Sequence, residues 1–232
     1  MTRVLVPLPN YGADPTEVAI PWKLLTENGY GVTFATPKGQ VATPDWAMLH
    51  GKNLGIWRSL LKTRSDAVEA CLAMQNSAAF LSPQSYQDVN EADFDALLLP
   101  GGHDKGVKEY LESPVLQRLV ADFFLRDKPV AAICHGVVLA ARSVASDTGK
   151  SVIAGYNTSC LLKSQELLAY QMTRLWLNDY YLTYPELTVE DEVTAALDHS
   201  AQFHSGPTPA LRDDMQHLDR GFTVRDRNYL SA

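Results

Sequence analysis

Cysteine is scarce in this chain: Cys71, Cys134 and Cys160 are the only three among 232 residues. An odd number of cysteines at unrelated spacings fits neither a disulfide framework nor a zinc site. We therefore expect three reduced thiols, no metal and no cofactor.

Long apolar runs and clusters of basic residues are also absent. No apolar stretch reaches the roughly 20 residues of a transmembrane helix, and the first residues lead into a strand-like run without a signal-peptide pattern. The net charge of −7 is not offset by any group of Lys and Arg, which argues against nucleic acid or an anionic membrane as a partner. We expect a soluble cytoplasmic protein that acts on a small molecule.

The rest of the pattern alternates short apolar strands with helices. A strand, a helix closed by Gly29 and a second strand follow one another near the start of the chain, and this spacing favours a right-handed crossover and a parallel sheet. The predicted strands are residues 3–8, 32–36, 96–100, 128–133, 150–154, 222–225 and 229–231, and the predicted helices are residues 16–28, 114–125, 137–141, 161–181 and 186–197.

Two segments interrupt the alternation, and we interpret both as insertions into a single domain of residues 1–232. Residues 41–90 have leucines and two tryptophans, Trp46 and Trp57, at spacings typical of short helices. This apolar stripe favours core packing or a dimer face over a ligand site. Residues 161–220 form the second, helical insertion.

Residues 128–136 are the most informative segment, because an apolar run ends there at Cys134, His135 and Gly136. The run predicts a buried parallel strand, and the apolar residues after it predict a helix. Cys134 would then lie on a strand-to-helix turn typical of a nucleophile, with Gly136 allowing close backbone approach. The helix N-terminus and His135 favour a thiolate, so we predict Cys134 to be the most acidic thiol. A buried structural cysteine is the alternative.

Two other loops should meet this turn, because ligands bind outside the carboxyl ends of strands in open α/β sheets. One loop carries Gly101 and Gly102, whose amides could face a developing oxyanion. The other carries Glu17, which could share a proton with the Cys134 thiol. Taken alone, the glycines fit a tight turn and Glu17 fits a helix N-terminal acid. Their expected convergence favours a catalytic site.

Three motifs resemble those of the ThiJ/PfpI family within the class I glutamine amidotransferase-like superfamily. They are Glu-Val-Ala-Ile-Pro at 17–21, Leu-Leu-Leu-Pro-Gly-Gly-His at 97–103 and Val-Ala-Ala-Ile-Cys-His-Gly at 130–136. The last two are most similar to the branch of heat-shock chaperones and glyoxalase III-type enzymes. The resemblance implies a flavodoxin-like three-layer α/β sandwich with a mostly parallel central sheet and helical insertions.

The resemblance also implies a reaction and a set of site residues. In the glyoxalase III-type reaction a cysteine thiolate adds to a 2-oxoaldehyde such as methylglyoxal, a proton moves between carbons, and water releases a 2-hydroxy acid without glutathione or metal. The implied partner is therefore a small-molecule aldehyde. The implied residues are Cys134 as nucleophile, His135 as acid/base and Glu17 as the carboxyl contacting the thiol, with Gly101, Gly102, His103 and Gly136 for oxyanion and substrate binding.

The sequence departs from the family pattern in two places. Members with a catalytic triad have an acidic residue after the strand predicted here at 150–154, but residues 155–162 contain none and Glu166 lies in a helical pattern. We therefore expect His135 to have no carboxylate partner from residues 155–162, and any activity to be weak. The chain also stops where relatives continue into a last helix. We therefore expect either further residues beyond Ala232 or a homodimer that buries this face or the insertion at residues 41–90.

Several other functions fit parts of the sequence. A non-catalytic stress-response or chaperone role would use the Trp- and Leu-rich insertions, and a cysteine peptidase or amidase would share the same nucleophile. An amidotransferase would need a downstream His-x-Glu, and the nearest match, His217-Leu218-Asp219, lies in a polar stretch. A metal at His103 with His135 is disfavoured, as is one at His199 with His204, which lack helical i, i+4 spacing.

Overall fold

The computed structural model describes residues 1–51, 53–207 and 217–232. Seven strands in these ranges form one sheet. The strands are β1 (Arg3–Pro7), β2 (Gly31–Thr36), β3 (Gln84–Ser85), β4 (Ala96–Leu99), β5 (Val130–Ala132), β6 (Val224–Asp226) and β7 (Tyr229–Ser231). Their order is β3-β2-β1-β4-β5-β7-β6, and every neighbouring pair is parallel except the antiparallel β6–β7 hairpin. This is the predicted flavodoxin-like, mostly parallel arrangement.

Helices cover both faces of the sheet. The helices are α1 (Pro15–Glu27), α2 (Trp46–His50), α3 (Arg58–Leu61), α4 (Ser65–Gln75), α5 (Ala78–Leu81), α6 (Lys108–Leu111), α7 (Pro114–Leu125), α8 (Gly136–Arg142), α9 (Lys163–Leu177) and α10 (Val189–Ala195). One apolar core lies under α7, α8 and α10, and the other lies under α1 and α4. The molecule therefore has the three layers that the family resemblance implied.

The strands read as continuous apolar runs because both of their faces are buried. In β1, Leu5 packs into the core under α7 and α8, while Val4 and Val6 pack into the core under α1 and α4. Side chains alternate between the two faces of a strand, so a strand covered on both sides needs apolar residues at successive positions.

Helix α1 begins where the sequence supplies a cap. The Asp14 carboxylate accepts hydrogen bonds from the backbone N–H groups of Thr16, at 2.7 Å, and Glu17, at 3.2 Å. Pro15 occupies the first turn, where its missing N–H costs no helical hydrogen bond. The cap fixes the position of Glu17 at the edge of the sheet.

The predicted strand at residues 150–154 is wrong. Ser151 forms only an isolated antiparallel bridge with Val144. The backbone then turns, as Ala154 N–H donates to the Ser151 carbonyl and Tyr156 N–H donates to the Ile153 carbonyl. The place beside β5 is taken by β7, so the sheet offers this segment no partner on that side.

The two interrupting segments contribute to the main structure in different ways. Helix α4 brings Ala70 and Met74 into the core under α1, and β3 pairs with β2 at the sheet edge. The predicted helices at 161–181 and 186–197 are present as the shorter α9 and α10, and residues 208–216 of the second segment lie outside the described residues. In the ranges that the structure covers, no helix is both long and apolar enough to cross a bilayer.

Candidate active site

Cys134 lies on the predicted turn between β5 and α8. Its backbone has a φ of +53°, in the left-handed region that costs a residue with a side chain about 1–2 kcal/mol. The turn is held because Cys134 N–H donates to the Ala232 carbonyl at 2.8 Å and Gly136 N–H donates to the Ile133 carbonyl at 2.7 Å. The whole residue is 7% exposed. Backbone strain at a buried nucleophilic side chain is a feature of functional sites.

Two glycines let neighbouring loops approach this turn. A Cβ added at Gly136 would lie 2.0 Å from the Leu99 carbonyl oxygen, and one added at Gly101 would lie 2.5 Å from the backbone nitrogen of His135. Both distances are far shorter than any tolerated contact. The sequence prediction of close backbone approach at Gly136 therefore holds, and Gly101 has the same role on the facing loop.

Glu17 joins the facing loop to the cysteine. Its Oε2 accepts a hydrogen bond from the Gly101 N–H at 2.7 Å, and its carboxyl also interacts with the Cys134 thiol. The Gly101 amide is therefore engaged by Glu17 and does not face an oxyanion, contrary to expectation. The amide of Gly102 has no acceptor among the described residues, so of the two predicted donors Gly102 is the one available to an oxyanion.

Burial favours the neutral forms of both groups. It raises the pKa of Glu17 to about 8, with a further contribution from the charge of Asp14. Burial, followed by the Glu17 charge, also raises the pKa of Cys134 well above its ordinary value. The other two thiols are shifted in the same direction, the pKa of Cys71 to about 11. These directions oppose the predicted resting thiolate: at neutral pH the site holds a thiol and a carboxylic acid.

The histidines beside the thiol are neutral as well. His135 Nδ1 lies 3.3 Å from Cys134 Sγ, and the ring of His103 meets that of His135 edge-on at 5.3 Å. Burial lowers the pKa of His103 to about 4 and the pKa of His135 well below its ordinary value. None of the residues with described positions forms a hydrogen bond with the buried His135 Nε2. Over the described part of the chain, no carboxylate forms an ion pair or hydrogen bond with His135.

The segment after α9 covers the His103 side of the site. The Tyr181 ring packs against the His103 ring at 5.0 Å, and Thr183 Oγ1 donates to the His103 carbonyl at 2.9 Å. Tyr180 donates a hydrogen bond to the Asp45 carboxylate, which also caps α2. The second insertion thereby contacts both the first insertion and the loop that carries His103.

These residues open into a cavity of about 540 Å³, a size typical of small-molecule sites. Glu17, His103 and Cys134 line one part of it. The rest of the lining comes from Ile133, residues 159–162, Gln165, residues 206–207, residues 220–223 and Ala232. Polar or reactive lining residues outside the predicted set are Ser159, Cys160, Gln165, Arg220 and Thr223.

Sequence reasoning missed Asp14, Tyr181 and these further lining residues. The Asp14-Pro15 pair is a readable helix-start signal, and it would have shown that a carboxylate precedes Glu17. No local signal points to Tyr181, since its contact with His103 depends on the folded position of residues distant in sequence.

A metal centre has little support from the side chains. Among the residues with described positions, no three His, Cys, Asp or Glu side chains lie close enough to hold an ion. The ring Nε2 of His204 faces Asn157 Oδ1 at 2.8 Å, which gives this histidine a protein partner.

Three curated relatives share part of the chain. An uncharacterized protein of Schizosaccharomyces pombe is 36% identical over 123 residues, covering 52% of this chain and 45% of that protein. The glutathione-independent glyoxalase hsp3102 of the same yeast is 23% identical over 159 residues, covering 68% of this chain and 62% of the glyoxalase. Protein/nucleic acid deglycase 2 of Escherichia coli is 43% identical over 65 residues, covering 27% of this chain and 35% of the deglycase. Each match therefore spans less than two thirds of the relative.

Solved structures match over nearly the whole chain at low identity. Glyoxalase III from Candida albicans superimposes with a TM-score of 0.71 and 17% identity, covering 99% of this chain and 90% of that one. The Rapid Encystment Protein of Francisella tularensis gives a TM-score of 0.69 and 15% identity, covering 100% and 91%. These likenesses show the fold.

The family is shown by a match that covers most of the sequence. The model of the group described as ThiJ/PfpI family-like matches residues 8–207, a span that includes all three motifs and every predicted site residue. The chain belongs to the ThiJ/PfpI family.

Proposed function

We propose that this protein converts a 2-oxoaldehyde to a 2-hydroxy acid, without glutathione, through a hemithioacetal on Cys134. The observation that carries the proposal is the pairing of the Cys134 sulfur with two proton-handling groups, of which Glu17 lines the same cavity as Cys134. The Glu17 carboxyl interacts with the thiol, and His135 Nδ1 lies 3.3 Å from the sulfur. The names of the yeast glyoxalase relative and of the Candida structure agree with this chemistry.

The first step adds the thiol across the aldehyde carbonyl. A neutral His135 with its proton on Nε2 can accept the thiol proton at Nδ1 while the sulfur attacks the aldehyde carbon. The resulting alkoxide lies near the Gly102 amide and takes the proton back from the imidazolium. The product of this step is a neutral hemithioacetal on Cys134, and His135 returns to its neutral starting state.

The second step moves hydrogen between the two carbons. His135 removes the proton from the former aldehyde carbon while Glu17, as a carboxylic acid, protonates the neighbouring ketone oxygen, giving an enediol on sulfur. Return of the proton to the second carbon, with loss of the hydroxyl proton to Glu17, leaves a thioester. Water then hydrolyses the thioester to the 2-hydroxy acid and the free thiol. The net reaction is addition of water to the 2-oxoaldehyde to give the 2-hydroxy acid, and the substrate undergoes no net oxidation.

The surroundings of His135 determine how fast it is expected to remove the proton from carbon. A carboxylate beside Nε2 would raise the basicity of the imidazole, but this nitrogen has no partner in the described structure. Burial instead lowers the pKa of His135, so proton removal from carbon is expected to be slow. We therefore expect a low turnover number.

A holdase role is the second candidate, and it is favoured by one exposed surface. On α9, Leu168 and Leu175 are 60% and 84% exposed, next to a partly exposed Trp176. Exposed apolar side chains on one helix suit contact with unfolded chains. A peptidase role has less support, because a cysteine residue that is only 7% exposed is poorly placed to meet a polypeptide backbone.

The deciding experiment incubates the purified protein with methylglyoxal, with and without glutathione, and measures lactate. We expect lactate to form at equal rates in both conditions, and to be abolished by Cys134→Ser but retained by Cys71→Ala. Absence of lactate from the unmodified protein would refute the proposal. Suppressed aggregation of a heated client protein, independent of Cys134, would then favour the holdase.

A further inference from the structure

The cavity holds a single described cation, Arg220, in addition to the reacting groups. No carboxylate in the described ranges pairs with Arg220, whereas Arg126, Arg142 and Arg227 each pair with one. Arg220 is partly exposed and lines the same cavity as Cys134. An unpaired guanidinium in a cavity presents a planar fork of donors that matches a carboxylate or phosphate.

The charge of the cavity also favours an anion. Glu17 is the only acidic side chain among the described lining residues, and burial raises its pKa to about 8. The lining histidine, His103, is neutral because burial lowers its pKa to about 4. Among the described lining side chains, the positive charge of Arg220 is therefore opposed only by Glu17, which is mostly protonated at neutral pH.

The size of the cavity points the same way. A volume of about 540 Å³ is in the range that holds ligands much larger than a three-carbon aldehyde. The lining beyond Cys134 includes Ser159, Gln165 and Thr223, which are hydrogen-bonding side chains. A longer substrate can therefore place its aldehyde at the thiol and a second polar group farther along the wall.

We propose that Arg220 is a specificity-determining residue that selects 2-oxoaldehydes carrying a terminal carboxylate or phosphate. The inference rests on the proposed oxoaldehyde function. The anionic group pairs with the guanidinium, and the aldehyde end lies between Cys134 and Glu17. The chemistry at the aldehyde is unchanged: water is added overall and the product is the corresponding 2-hydroxy acid with its anionic group intact.

The kinetic arm compares 4,5-dioxopentanoate, which ends in a carboxylate, with 2-oxopentanal, which has the same carbon chain without it. We expect the wild-type kcat/KM to be about 10- to 100-fold higher for the carboxylate substrate. Arg220→Gln should lower kcat/KM for 4,5-dioxopentanoate until this preference is lost. The matched control is Arg225→Gln, which neutralises an exposed arginine of β6 outside the cavity. Inorganic phosphate is then tested as a competitive inhibitor of the same reaction. Inhibition of wild type but not of Arg220→Gln would show that the Arg220 site also accepts phosphate groups.

The binding arm does not depend on turnover, so it separates this inference from the proposed function. Calorimetric titration compares 4-oxopentanoate with its methyl ester on wild type, Arg220→Gln and Arg225→Gln. The inference is supported if wild type binds the acid more tightly than the ester and if the affinity for the acid falls by at least about tenfold in Arg220→Gln but not in Arg225→Gln. This result would support it even if no oxoaldehyde is turned over. Equal binding of acid and ester to wild type, or failure of both to bind, overturns it. Thermal unfolding of each variant confirms that it is folded.

Discussion

The backbone N–H of Gly101 donates a 2.7 Å hydrogen bond to Oε2 of Glu17, a residue 84 positions earlier in the chain. This contact orients the carboxyl so that the group also reaches the Cys134 thiol. A glutamine at position 17 can still accept the Gly101 hydrogen bond through its amide oxygen. It cannot take up or release a proton, so Glu17→Gln separates the proton-transfer role from the structural one.

Glu17→Gln should lower kcat for an oxoaldehyde by roughly 100- to 10,000-fold, the loss typical of a missing acid/base. Cys134→Ser should be at least as damaging, because it removes the nucleophile. Steady-state kinetics measure both, and Glu27→Gln is the control, since Glu27 is an exposed carboxylate of the same helix. Unchanged turnover in Glu17→Gln would move the acid/base role to His135.

The pH dependence of the rate should report the ionisation of Glu17. Glu17 is required as an acid, and burial raises its pKa to about 8. We therefore expect kcat/KM to decline above about pH 8 as the proton is lost. The decline should be absent from the residual activity of Glu17→Gln. A wild-type profile that rises steadily through pH 9 would instead indicate that the ionised form is active.

Glu17 should also make stability depend on pH. Its pKa rises from 4.5 to about 8 on folding, so between these values the folded state binds more protons than the unfolded state. Linkage then requires the free energy of unfolding to fall as pH rises from about 4.5 to 8, by at most about 1.4 kcal/mol per pKa unit.

Denaturant unfolding of wild type and Glu17→Gln at pH 5, 7 and 9 measures this effect. The difference in the free energy of unfolding, variant minus wild type, should increase with pH because only the wild type loses this contribution. Glu27→Gln should show no such trend. Parallel profiles for wild type and Glu17→Gln would mean that the carboxyl is already ionised in the folded protein.

Gly136→Ala should destabilise the protein by more than about 4 kcal/mol or prevent folding. The new Cβ would lie 2.0 Å from the Leu99 carbonyl oxygen, and backbone cannot move away cheaply between a strand and a helix. Gly155→Ala is the control, because no atom lies within 4 Å of its added Cβ. Soluble yield and thermal unfolding test the pair, and equal stability of the two variants would contradict the packing at the turn.

The three thiols should differ in access more than in acidity. Cys134 and Cys160 line the cavity, whereas Cys71 is 0% exposed in the core under α1. Burial raises the pKa of each, so alkylation should be slow at pH 7, accelerate with pH, and reach Cys71 last. Mass mapping of time points decides the order. Early labelling of Cys71 would show that its core opens readily.

Much of the fold could be predicted from the sequence because both faces of the sheet are covered. Burial on two sides demands continuous apolar runs, and these runs mark β1, β4 and β5 clearly. The same rule failed at residues 150–154, where an apolar run is buried in turns. Sequence pattern reports that a segment is buried, but the presence of β7 beside β5 is a property of the whole sheet.

The site was predictable in its positions and not in its protonation. Parallel strands bring their carboxyl ends to one edge, so the loops of Glu17, Gly101 and Cys134 had to converge. The raised pKa of Glu17 and the unpartnered Nε2 of His135 depend on how tightly distant segments close over these loops. Arg220 has no motif around it, and only its place in the cavity gives it a role.

The left-handed backbone at Cys134, with its φ of +53°, has a consequence for how this protein can change. Glycine adopts that conformation at no steric cost, so a chain selected for stability alone would place glycine at this turn. The fold therefore gives up stability at the residue on which reactivity depends. The single substitution Cys134→Gly would remove the nucleophile and relieve the backbone strain at the turn. An inactive and more stable descendant is therefore one substitution away.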